Sequence, residues 1–461
     1  LDGEHGADFV DACHRATGGN PLAVIELLRD LRRDEGKLDA ERSARLGDRA
    51  PKAIERHVRG RLDRLGAEAC DVARALAVLG SGSSLRQVAA LAEVELESAG
   101  QRIDELTLAG IVGRTAELRF EHPLVHAAVR DSMTHRRRAA LHRRAATLLA
   151  DEQGDPESIA AHLLNADPAG DPQSVIGLRA AGAAALRRGS PGGAVTYLER
   201  ALAEPPPTEL RSAVLGELGR AVWAAFDTSA IEHLQAAREL AVDACERARL
   251  DLMLAEVCLY GGERDRLFAV LQTGLTDLGE QDPGLALELR AMRTTALAGM
   301  DAGWPAADDA EHEQLVELAG AGSDTARQLQ LSLALVGIWT GRGTAPETIA
   351  MVQAALDERM LERPDAGSVS RLAHGLFALI FADELERATE LARRMMARAA
   401  VAGSPMMLGL ASHAHGWAQL RRGALADAEA SGRLATEAAI ATGARFAEPI
   451  TRVPLGEALT E

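Results

Sequence analysis

"GAAALRRGSPGGAVTYLERALAEPP", Gly182 to Pro206, is the stretch whose reading decides the fold. Gly182, Ala194, Ala201 and Pro206 stand at successive steps of twelve, seven and five. A small residue in each helix of a hairpin lets the two backbones approach closely, and a step of seven keeps Ala194 and Ala201 on one face of the second helix. Near the other end, "GWAQLRRGALADAEASGRLA" places Gly416, Ala428 and Ala435 at the same twelve and seven. Weaker copies lie between. Ala230 and Ala237 keep the step of seven, Ala255 precedes Leu267 by twelve, and Arg371 to Ala399 has the hairpin shape without the full signature.

These are the intervals of the tetratricopeptide repeat, whose period is about 34 residues. Residues 151–461 are therefore expected to stack about eight helical hairpins into a solenoid. The alternative is an irregular all-helical domain. Upstream, apolar residues at helical intervals predict helices over 54–65, 68–79, 85–92 and 96–109. "GIVGRTAELRFEHP", Gly110 to Pro123, then changes period: Ile111-Val112 and Leu118 to Phe120 flank a polar turn, which predicts a small β-hairpin. Three helices followed by a hairpin make a winged helix, assigned to residues 51–150 with the helices predicted over 124–133 and 136–150. The expected class is all-α with a small β-hairpin wing.

Ahead of the winged helix stands "ATGGNPLAVIELL", Ala16 to Leu28. Thr17 and Asn20 suit a helix cap and Pro21 the first helical position, where its missing N–H costs nothing. Gly18 and Gly19 add bare amides beside the positive end of that helix, an arrangement that phosphates exploit.

At 461 residues, core size is no limit on roughly three domains. Aromatic residues at 3% favour helix packing through small side chains. The apolar run "LSLALVGIW", Leu331 to Trp339, is about half the length of a spanning helix. With no charged-then-apolar leader, no membrane association and a cytoplasmic location are expected. Cys13, Cys70, Cys245 and Cys258 form no C-x-x-C and are expected to be small buried hydrophobes. Of the net charge of -17, residues 151–461 carry 27 Lys+Arg against 45 Asp+Glu, so this part is not expected to bind DNA unaided.

No Walker A sequence, H-E-x-x-H or G-x-S-x-G occurs, so no catalytic residue and no metal site are assigned. "GSGSS", Gly80 to Ser84, reads as an interhelical turn. His122 and His126, four apart, have the spacing of a metal pair but no supporting carboxylate or cysteine. Pro123 places His122 immediately before a helix, where it either caps the helix or meets a phosphate. "THRRRAALHRRAA", Thr134 to Ala146, reads as a solvated face pairing with the acidic second part, with a phosphate or nucleic-acid patch as the alternative.

The order "ATGGNPLAVIELL", "RLDRLGAEACDVARALAVLG", "IDELTLAGIV", "LRFEHPLVHAAVRDSM" and "RRAALHRRAATLLA" resembles the large ATP-binding regulators of the LuxR type, which belong to the signal-transduction ATPases with numerous domains. The resemblance covers Phe9 to about Ala150, and the repeat region agrees in type. It implies that residues 1–50 are the C-terminal part of a helical ATPase lid, in which Gly18, Gly19, Asn20 and Pro21 correspond to the Gly-x-Pro element near adenine. It implies that His122 takes the place of the winged-helix histidine that senses the β-phosphate of ADP. By the same resemblance the chain is an internal fragment, lacking the P-loop core and the C-terminal helix-turn-helix that would contact DNA. ATP or ADP would bind in the intact parent, a slow ATPase switch, and not tightly to this chain alone. An inducer or protein partner would bind the repeats. Two other functions remain: attachment to a nucleotidyl cyclase, or a free-standing repeat adaptor.

Overall fold

The computed structural model describes residues 58–115, 117–225, 227–300, 324–356, 366–441 and 447–460, with scattered positions outside those ranges. The chain divides into two compact units, Leu1–Pro168 and Ala169–Glu461. Nearly all described residues are helical, and the class is all-α.

In the first unit, α1 (Ala67–Leu79), α2 (Leu85–Ala92) and α3 (Leu96–Leu108) pack on one another. "GSGSS" is the turn between α1 and α2, with Gly80 and Gly82 both at φ 88°, a left-handed conformation that costs glycine nothing. Ser84 then starts α2 with a capping box: Gln87 N–H donates to Ser84 Oγ at 3.2 Å, and Ser84 N–H donates to Gln87 Oε1 at 2.9 Å. Ser84→Ala is expected to lower the stability of this unit by about 1 kcal/mol, read from a urea transition.

The expected hairpin follows α3, reduced to a single antiparallel bridge between Val112 and Phe120. Gly113 N–H donates to Arg119 C=O at 2.9 Å and Glu121 N–H to Ile111 C=O at 3.0 Å. Ile111 and Val112 are buried in the core with Leu76, Leu91, Leu106 and Val129, while Leu118 and Phe120 cover its edge. The order of three helices and a wing is thus present in this unit.

Two further elements, α4 (Pro123–Asp131) and α5 (His135–Asp151), pack on α1, and α6 (Pro156–Leu164) packs on α5. The first unit therefore continues to Pro168, past the expected boundary at 150/151. His142 and His162 tie α5 to α6, their Nδ1 atoms 3.0 Å apart. One must donate and the other accept, so the two rings cannot both be protonated, and burial lowers the pKa of both, that of His142 to about 4. The arginine-rich α5 differs from expectation in its partners. Arg137 pairs with Asp71 at 2.5 Å, Arg144 pairs with Glu93 at 2.9 Å and donates to Leu91 C=O, and Arg143 donates to Asp167 C=O. These partners belong to the first unit, because α5 lies across α1 and α2, where Asp71 and the Leu91–Glu93 segment stand.

The second unit is a series of helical hairpins. α7 (Pro172–Arg187) packs with α8 (Pro191–Ala203), α9 (Thr208–Ala224) with α10 (Ala230–Leu240), and α11 (Ala244–Gly261) with α12 (Arg264–Leu278). After α13 (Pro283–Met300) come α14 (Asp324–Thr340) with α15 (Ala345–Ala355), α16 (Ala366–Phe381) with α17 (Leu385–Ala402), α18 (Pro405–Arg421) with α19 (Leu425–Ala441), and then α20 (Ala447–Thr460). The first helices also pack on one another in sequence: α7, α9, α11, α13, α14, α16, α18 and α20. First helices thus meet their hairpin partners and the first helix of the next hairpin, while each second helix packs on the first helix that follows it, which is the packing of a solenoid.

The small-residue intervals do what the sequence expects of them. Ala194, Ala201, Ala230, Ala237, Ala428 and Ala435 are wholly buried. A Cβ on Gly182 would lie 3.0 Å from Leu198 Cγ, so α7 and α8 approach as closely as glycine allows. Polar pins add register: Arg238 on α10 donates to Asp251 on α11 at 2.5 Å and to Asp277 on α12 at 2.8 Å. Asp251 is 1% exposed, and burial raises its pKa although Arg238 opposes the shift. Cys70 and Cys258 are buried free thiols and Cys245 is partly buried.

Candidate functional site

The structure bears on two groups of residues, one in each unit. In the first, His122 is the N-cap of α4 and Pro123 its first residue, as the sequence requires. Leu124 N–H donates to His122 Nδ1 at 3.1 Å, which satisfies one of the open amides at the helix start. An imidazole whose Nδ1 accepts carries its proton on Nε2 when neutral.

His126 does something else. Its Nε2 donates to Ala77 C=O at 2.9 Å, and its ring stacks on Phe120 with centroids 5.2 Å apart. His126 therefore fixes α4 against α1 and the wing. Both histidines of the four-apart pair serve local structure, and no metal-binding group of three or more His, Cys, Asp or Glu occurs among the described residues. Gly18, Gly19, Asn20 and Pro21 lie outside the described residues.

The second group was not anticipated from the sequence. Along α16, Ser370, His374, Phe377 and Phe381 recur at four, three and four, forming one stripe. Each meets a different residue of the repeat unit. Tyr260 on α11 shares a hydrogen bond with Ser370, and Ser332 on α14 lies 2.9 Å from His374 Nδ1. His413 on α18 lies against Phe377 with ring centroids 5.4 Å apart, and Trp339 on α14 lies against Phe381 at 5.7 Å. Phe377 and Phe381 are 6.5 Å apart, so four rings run continuously from Trp339 to His413.

The stripe changes character along its length. Burial lowers the pKa of His374 and of His413 to about 4, with Arg371 contributing at His374, so both are neutral at physiological pH. Burial likewise raises the pKa of Tyr260. At the other end Trp339 is 53% and Phe381 47% exposed, in a chain with four Trp and seven Phe in all. Two adjacent half-exposed rings are unusual in so aromatic-poor a protein, since leaving such area in water forgoes burial worth about 25 cal/mol per Å². His413 is 5% exposed, and its Nδ1 has no hydrogen-bond partner among the described residues. A buried polar atom left in this state costs about 1–3 kcal/mol. The spacing 370, 374, 377, 381 was legible as one helix face. Its four partners, spread from residue 260 to residue 413, were not.

Among the described residues, no helix is long and apolar enough to cross a membrane. No protein-family model and no curated protein matches the chain. Among solved structures, the chain is similar to the crystal structure of the Signal Transduction ATPase with Numerous Domains protein with a tetratricopeptide repeat sensor from Pyrococcus horikoshii. That likeness has 13% identity and a TM-score of 0.47, covering 97% of this chain and 68% of the other. A second likeness is to the TPR2AB-domain:pHSP90-complex of yeast Sti1, at 14% identity and a TM-score of 0.23, covering 62% of this chain and 99% of the other. Neither likeness is high enough to fix the fold, which rests on the helix packing described above.

Proposed function

We propose that this chain is the lid, winged-helix and sensor portion of an ATP-controlled transcription regulator of the LuxR type. The observation that carries the reading is His122: it stands at the N-cap of α4 in a unit of three helices and a wing, beside the open backbone amides and positive end of a helix that suit a phosphate. In this reading the ATPase core of the parent supplies the nucleotide cradle, because no Walker A sequence stands between Leu1 and Glu461. Hydrolysis belongs to that core, a slow switch, and this chain contributes no catalytic residue. DNA is contacted by a separate helix-turn-helix.

The role of this chain is to relay. Bound ADP holds the wing closed through His122, and an effector on the repeats favours the state in which that hold is broken. The effector acts only through its different affinities for the two states, and by linkage the nucleotide changes effector affinity by the same factor. The half-exposed rings of the α16 stripe support the repeats as the effector's seat.

His122→Ala in the full-length protein is expected to weaken ADP binding roughly ten- to a hundredfold, the loss of one charge-assisted hydrogen bond of about 1.5–3 kcal/mol, with a smaller effect on ATP. Calorimetric titration with each nucleotide measures it. Equal ADP affinity in mutant and wild type would remove the relay and leave a repeat adaptor as the function.

A further inference from the structure

The effector's chemistry can be narrowed from the α16 stripe, an inference that rests on the repeats being the sensor. We propose that the surface formed by Trp339 and Phe381, at the exposed end of the α16 stripe, binds a small organic cation whose charge rests on the two rings.

Three independent features select a cation. First, Trp339 and Phe381 offer half-exposed π faces, tilted 42° to each other, and such faces attract positive charge through their quadrupoles. Second, both rings stand at the ends of helices. Trp339 is the penultimate residue of α14 and Phe381 the last of α16, so two C-terminal helix ends, each carrying partial negative charge, adjoin the ring pair. Third, the unit itself is acidic: residues 169–461 carry 27 Lys+Arg against 40 Asp+Glu, a field that concentrates cations at its surface.

The stripe's own polar groups agree with this choice. His374 and His413 are uncharged, so neither repels a cation. Two arginines beside the stripe are paired with acids, Arg371 with Glu288 at 3.8 Å and Arg421 with Asp383 at 3.1 Å. Arg421 also donates to Ile380 C=O, one residue before Phe381, so its charge is held by that carbonyl and by Asp383.

The test uses benzylammonium and its neutral isostere benzyl alcohol, titrated by calorimetry into the full chain. Benzylammonium is expected to bind saturably and about five- to thirtyfold more tightly than benzyl alcohol, the factor that one cation–π contact of about 1–2 kcal/mol confers. Trp339→Leu keeps apolar bulk and removes the best π face. It is expected to abolish that preference while leaving the far-UV spectrum and melting temperature of this half-exposed site unchanged. Equal binding of the two probes would overturn the choice of a cation. No binding of benzylammonium, or binding that Trp339→Leu leaves intact, would overturn the site. Because no nucleotide enters this titration, its failure is distinct from failure of the relay through His122.

Discussion

Gly219→Ala is expected to destabilise the repeat unit by about 2 kcal/mol, although the same change at an unobstructed helical glycine stabilises a protein. Alanine is the better helix former by about 1 kcal/mol, so a helical glycine is normally a liability. At Gly219 in α9, however, an added Cβ would lie 2.6 Å from Leu234 Cγ, 2.7 Å from its Cδ2 and 3.3 Å from its backbone nitrogen. Leu234 on α10 is wholly buried and has nowhere to turn. The hairpin must therefore open, at the cost of about 1–3 kcal/mol typical of overpacking plus the dispersion energy forfeited where the two helices separate. Gly192 in α8 is the control, since nothing lies within 4 Å of the Cβ it lacks. Gly192→Ala is expected to be neutral or stabilising by up to about 1 kcal/mol.

A double mutant sharpens the test. Leu234→Ala alone is expected to cost about 2–5 kcal/mol through the cavity it leaves. Combined with Gly219→Ala it should cost less than the sum, because the new methyl enters that cavity. Urea transitions of the four proteins measure the coupling. Strict additivity, or an unchanged midpoint for Gly219→Ala, would show that close approach at this glycine does not hold the hairpin.

The second large effect is a loss of stability in mild acid. His374 and His413 have folded-state pKa values near 4 because burial penalises their charged forms, whereas in the unfolded chain they titrate near 6.5. Between those values the unfolded state binds more protons, so stability is retained above about pH 6.5 and falls as the pH drops toward 4. For His413 the fall amounts to roughly 3 kcal/mol at the acid end. His142, His162 and His415 are shifted in the same direction by burial and add to the slope.

His413→Phe separates this contribution. Phenylalanine keeps a ring against Phe377 and has no Nδ1 to leave unpartnered, so the variant should be at least as stable as wild type at about pH 7. Its stability should also fall less steeply with acid, by up to one proton's worth of slope. Urea midpoints at several values between about pH 7 and pH 4.5 measure both. Parallel profiles for the two proteins would mean that His413 is not held neutral by the fold.

Features that depend on neighbours along the chain were legible in the amino-acid order alone. The intervals at Gly182, Ala194 and Ala201 specify two helices close enough to need a glycine, and Leu198 fills that gap. The same holds for the wing, where the period changes between Ile111 and Phe120, and for His122, which Pro123 places on the cap of α4. Which distant residues share a surface depends instead on how the hairpins pack. Tyr260 meets Ser370 across 110 positions, Ser332 meets His374 across 42, and the arginines of α5 find Asp71, Glu93 and Asp167 within their own unit. Helical periodicity fixes which face of α16 is continuous, but the angle at which successive hairpins stack fixes what that face touches. That angle is set by the summed packing of many small side chains, and no single residue interval records it.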